Sequence, residues 1–88
     1  MHEIQYITFG ARYTPKGIQR ECDKISKANS DYKKPLYSDI RFPKVTCKSY
    51  DDAVKWIDEH DEGWYDCIAI KFKDNRKTYW LAKIEYHV

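Results

Sequence analysis

The chain has 88 residues, 16 Lys and Arg against 14 Asp and Glu, and a formal charge of only +2. A chain this short makes one domain, residues 1–88, that buries roughly 60% of its unfolded surface, which leaves little room for an enclosed active site and its supporting shell. A net charge this small is weak evidence about partners, and no run of apolar residues approaches the ~20 needed to cross a membrane.

Residues 2–13, HEIQYITFGARY, are rich in Ile, Tyr, Phe and Thr and read as a strand. Gly10 within it marks a bulge or the strand's end. The stretch TPKGIQRECDKISKAN then starts a helix, with Thr14 as N-cap and Pro15 at the first helical position. Ile18, Cys22 and Ile25 recur at the spacing of one buried helical face. Residues 30–39 are polar and turn-rich. Ile40–Lys48 reads as a short strand pair, or as one strand interrupted at Pro43 that sits best on a sheet edge.

The best-marked helix is SYDDAVKWIDEHDEG. Ser49 followed by Asp52 resembles a capping box, Tyr50, Ala53, Val54, Trp56 and Ile57 form the buried stripe, and Gly63 is the expected stop. The rest of the chain reads as a β-hairpin around Asp74–Lys77. To bring Ile70 beside Trp80 on a single core face, its connection must hold an odd number of residues, because opposed residues in an antiparallel pair share a side. The expected architecture is α+β: a two-layer sandwich of a mainly antiparallel four- or five-stranded sheet with both helices on one face, in the order βα(β)βαββ. The Tyr79–Leu81 face of the last strand is then either open or covered by residues 29–43 through Tyr32, Leu36 or Tyr37.

The candidates for chemistry are few. Cys22, Cys47 and Cys67 are odd in number and widely spaced without a C-x-x-C, as expected of reduced thiols in a cytoplasmic protein. The N-terminus lacks the basic start and apolar run of a signal peptide. A Cys–His pair built on His60 needs a thiol beside it, and nothing in the sequence supplies one. Paired carboxylates among Asp58, Glu59, Asp61 and Glu62 need a pocket to separate their pKa values. A zinc site from Cys47, His60 and Cys67 lacks the usual tight spacing. No catalytic residue, metal or cofactor is assigned, and the chain is read as a non-enzyme.

Charge is uneven along the chain. Residues 1–48 hold ten Lys and Arg against five Asp and Glu, and residues 49–88 hold six against nine. Lys16, Arg20, Lys24 and Lys27 form a basic stripe opposite the apolar face of the first helix, a surface suited to phosphates. Asp58, Glu59, Asp61 and Glu62 crowd the C-terminal end of the second helix, where the macrodipole disfavours acids. Such a broken local rule invites a functional explanation, and an acidic ridge that steers toward a basic partner is one. The leading expectation is a small protein that docks on another protein through Asp58, Glu59, Asp61, Glu62, Tyr79 and Leu81, as an inhibitor or accessory factor. The alternative is a nucleic-acid-binding module using Lys16, Arg20, Lys24 and Lys27. An exposed strand edge would also make a homodimer easy to build. In general style the size and the Lys-, Asp-, Tyr- and Ile-rich composition resemble small phage and mobile-element proteins, among them anti-CRISPR inhibitors of host defence; no particular residue carries that resemblance.

Overall fold

Among the described residues six elements follow one another: β1 (His2–Gly10), α1 (Pro15–Asn29), β2 (Thr46–Cys47), α2 (Tyr50–His60), β3 (Ile68–Asp74) and β4 (Lys77–His87). They belong to a computed structural model that describes residues 2–31, 33–63 and 65–88. The strands form one mixed sheet in the order β1-β4-β3-β2, antiparallel except for the β2–β3 pair. The expected α+β class, element order and mainly antiparallel sheet are all present. The expected cover residue Tyr32 lies outside the described residues.

The helix starts follow local chemistry. The Thr14 hydroxyl accepts a hydrogen bond from the Gly17 amide at 3.1 Å, and Pro15 opens α1 without losing a needed donor. Ser49 caps α2 by accepting from the Asp52 amide at 3.1 Å. That helix ends at His60 with Asp61 as its C-cap. The expected stop, Gly63, instead lies in the turn beyond it, at φ 113°.

Pro43 interrupts the edge as expected. Arg41 makes a parallel bridge to Ile68, the Lys71 amide donates to Val45 O at 3.1 Å, and only Thr46–Cys47 form regular strand.

The helices do not share a face. Because β1, β2 and β3 all run the same way, α1 carries the chain right across the sheet from one edge to the other, and α2 carries it one strand back. Right-handed crossovers stepping in opposite directions place their helices on opposite sides. Ile18 and Cys22 of α1 pack with Phe9, Cys67, Ala69, Trp80, Ala82, Ile84 and Tyr86. Ala53 and Ile57 of α2 pack with Ile68, Ile70, Phe72 and Leu81 on the other side. The expected two-layer sandwich is therefore corrected to a helix–sheet–helix arrangement.

The same fact overturns the expected odd connection in the hairpin. Asn75 and Arg76, at φ 48° and 67°, make a two-residue turn that sets Lys71 against Trp80 and Ile70 against Leu81. Both central residues of a type I′ turn have positive φ. This register misplaces nothing, because the apolar set of β3 belongs under α2 and the Trp80 set of β4 under α1. It also puts the Lys71 ammonium 5.0 Å from the centre of the Trp80 ring, a favourable cation–π distance.

The 30–40 segment closes the α1 face. Buried Ser26 donates to Lys34 O at 3.0 Å, and the Ile40 amide donates to Gln19 Oε1 at 2.8 Å. These bonds seat Leu36 and Ile40 in the core beside Trp80, not over Tyr79 and Leu81.

Candidate functional site

The acids of α2 stand outward because Ala53 and Ile57 point down to the sheet. Asp51, Asp52, Asp58 and Glu59 are exposed along the helix, with Lys55 its only Lys or Arg. Glu62 follows just past its end and is 74% exposed. Asp58 accepts the Tyr6 hydroxyl at 3.0 Å. Burial, then that carboxylate, pushes the Tyr6 phenol up to about 12. Glu59 borders a shallow depression with Cys47, Lys48, Lys55 and Trp56. Glu62 reaches only 3.9 Å from Arg41 Nη1.

Asp61 has a different role. One of its oxygens accepts the Gly63 amide at 2.9 Å, and the other meets Lys83 Nζ at 2.6 Å. Lys83 is buried on the central strand β4, with 2% exposure, and so is its neighbour Glu85. The ammonium also lies 3.1 Å from Glu85 Oε1 and donates to Asp66 O at 2.8 Å. Glu85 in turn accepts the Tyr65 amide. Burial pulls the Lys83 pKa down, but its bonds to Asp61 and Glu85 outweigh that and hold it above the ordinary value.

Asp66 extends the cluster by taking a two-pronged contact from Arg41, Nε to Oδ1 at 3.0 Å and Nη2 to Oδ2 at 2.6 Å. The Glu62 amide donates to the same carboxylate at 3.0 Å. That fork, against the opposing effect of burial, holds the Asp66 carboxyl below its usual value. The cluster therefore ties Asp61, Glu62 and Asp66, beyond the end of α2, to β4 through Lys83 and to the β2 edge through Arg41.

Leu81 and Tyr79 are not an open face. Leu81 is 0% exposed beneath α2, and Tyr79 is half-buried and stacked on Phe72 with 5.6 Å between ring centres. Of the six residues expected to dock a protein, Leu81 and Asp61 serve the fold, Tyr79 lines the core, and Asp58, Glu59 and Glu62 remain at the surface.

The basic stripe stands as expected from helical spacing: Lys16, Arg20, Lys24 and Lys27 are all exposed on α1 and border one shallow depression with Gln19 and Asp23. Lys24 pairs with Glu21 at 3.6 Å. Because the helices lie on opposite sides of the sheet, the basic and acidic helix faces are turned away from each other.

The residues weighed for catalysis and metal binding do not gather. Cys67 packs on the α1 side and Cys47 on the α2 side. His60 stacks on Trp56 at 3.8 Å between ring centres, with Nδ1 2.8 Å from Trp56 O. Burial pushes the Cys22 thiol up to about 12 and raises Cys47 and Cys67 as well. All three are thus poor nucleophiles at neutral pH. Among the described residues no three His, Cys, Asp or Glu side chains are grouped to hold a metal ion, and no helix is long and apolar enough to cross a membrane. No known protein family matches the chain, and no curated protein sequence and no solved structure is significantly similar to it.

Sequence reasoning missed the Lys83–Glu85–Asp61–Asp66–Arg41 cluster. Its signal was present: Lys83 and Glu85 alternate with Ala82, Ile84 and Tyr86 on a strand that has no Pro or Gly to mark it as an edge.

Proposed function

We propose that this protein is a non-enzymatic docking protein, an inhibitor or accessory factor, that engages a basic surface on another protein through the outer arc of α2. The observation that carries this reading is the acid excess left at the surface after the fold has used Asp61 and Asp66. Asp51, Asp52, Asp58, Glu59 and Glu62 stay exposed, and Lys55 is the only Lys or Arg of the helix. Asp58 and Glu59 sit in the last turn, where acids oppose the helix dipole by about 0.3–1 kcal/mol each. An arrangement disfavoured locally but useful for steering a basic partner fits a docking role. The raised thiol pKa values and the dispersed His and Cys residues also favour binding over catalysis.

The test is capture from the native cell with the wild-type chain and with the Glu59→Lys/Glu62→Lys variant, followed by mass spectrometry. Both positions are exposed, so the variant is expected to fold. A partner retained by wild type and lost by the variant supports the reading. Equal capture by both overturns it.

A second reading rests on α1, whose four cations are exposed along one face. It makes the chain a nucleic-acid-binding module, and mobility shifts over a salt series test it, because phosphate contacts weaken steeply with salt. Absence of any shift at low salt removes that reading.

A further inference from the structure

The two edges of the sheet are built differently. At the β2 edge only two residues form regular strand, Pro43 breaks the line, and Lys44 and Lys48 flank it. These are the devices by which proteins keep edges from pairing. The β1 edge has none of them. Nine consecutive residues pair one-to-one with β4 without a bulge, and HEIQYITFG holds no Pro, Lys or Arg. No described strand lies on its outer side. The N–H and C=O groups of alternate residues therefore point outward along a straight edge. Ile4, on this strand, is 50% exposed.

We infer that the β1 edge pairs with the β1 edge of a second copy of this chain, antiparallel about a two-fold axis at Tyr6, to make one continuous eight-stranded sheet. Centring on Tyr6 opposes Glu3 with the partner's Phe9, Ile4 with the partner's Thr8 and Gln5 with the partner's Ile7. This register uses all nine residues, whereas shifting the centre leaves strand ends unpaired. Opposed side chains share a face, so Ile4 gains a neighbour that covers its exposed surface.

The charges suit a second copy. Glu3 is the only Asp or Glu in β1, and the two-fold sets the two copies of it at opposite ends of the interface. Arg12, exposed just past Gly10, is the first cation after the strand, and the same axis brings it to the end where the partner's Glu3 lies. The contact is isologous and closes on itself, the commonest form of homodimer. The axis is perpendicular to the sheet, so both acidic α2 helices stand on the same side of the pair.

The test is sedimentation equilibrium of the full chain, wild type and two double variants. Ile4→Lys/Thr8→Lys opposes like charges twice in this register, and Ile4→Glu/Thr8→Glu does the same with the other sign. Both positions are exposed, and circular dichroism checks that each variant folds. The wild type is expected at twice the 10.6 kDa chain mass, each double variant at one chain mass, and an equimolar mixture of the two variants at twice the chain mass again. A wild type that stays at one chain mass at high micromolar concentration overturns the proposal, as does a dimer that survives in either variant alone or a mixture that stays monomeric. Should either variant not fold, amide exchange of the wild type decides: protection of alternate β1 amides must rise with concentration, and concentration-independent exchange there overturns the proposal.

Discussion

Toward α1 the sheet presents Cys67, Ala69, Trp80, Ala82 and Ile84, and the 30–40 segment adds Leu36 and Ile40 to the same apolar cluster. Toward α2 it presents Ile68, Ile70, Phe72 and Leu81, but beyond them come Lys83 and Glu85, held by Asp61 and, through its backbone, by Asp66. One face is therefore held by burial, and the other partly by charge. Apolar packing tolerates a change of pH, whereas an ion cluster works only while each member keeps its charge. The helix on the apolar face exposes cations. The helix above the ionic face exposes the acids that the cluster does not consume.

Breaking the ionic face gives the largest expected effect. Lys83→Met leaves Glu85 and Asp61 without their shared cation and is expected to lose about 3–5 kcal/mol in urea unfolding at neutral pH. Adding Glu85→Leu removes a stranded charge and is expected to restore a good part of that loss. A Lys83→Met variant within about 1 kcal/mol of wild type contradicts the assignment of the cluster as structural.

The matching change on the apolar face is Ile18→Ala, expected to lose about 2–5 kcal/mol by opening a cavity in a fully buried position. Its loss is expected to be the same at pH 5 and pH 8, which sharpens the contrast between the faces.

Arg41→Gln removes the fork to Asp66 and is expected to lose about 1–2 kcal/mol at neutral pH, since its half-exposed guanidinium is partly screened. The sign with pH follows from Asp66. Its folded pKa lies below the ordinary 3.8, so the stabilisation is complete above that value and is lost as pH falls through the lower folded one. The gap between Arg41→Gln and wild type is therefore expected to close in acid. A gap that persists there counts against the fork.

The smallest effect belongs to the hairpin both faces share. Arg76 sits at φ 67°, a left-handed conformation that disfavours a side chain. Glycine relieves this but raises the entropy of the unfolded chain, so Arg76→Gly is expected to stabilise by about 0.5 kcal/mol. A loss of stability would mean that the arginine side chain contributes more than its backbone strain.

Both helices and their N-caps, the broken edge at Pro43 and the basic stripe were legible because each is local: a cap with its following residue, a 3.6-residue period, a proline. What was not legible depended on which side of the sheet each helix lies. Taking one core face led to an odd hairpin loop and an open Tyr79–Leu81 surface, and a two-residue turn then read as an error. The direction of each crossover, which decides the question, depends on strand order, and strand order is set by pairings remote in sequence. The same remoteness hid Arg41 and Asp66, 25 residues apart, and divided the acidic ridge into members that hold the fold and members that face outward.

Once a captured partner is purified, one titration tests the docking account most directly. Its affinity is measured for wild type, for Glu59→Lys/Glu62→Lys on α2 and for Arg20→Glu/Lys24→Glu on α1. The account predicts at least a roughly tenfold loss with the α2 variant, in keeping with the weight of steering charges, and little change with the α1 variant. A partner that is lost with the α1 variant and kept with the α2 variant would contradict it.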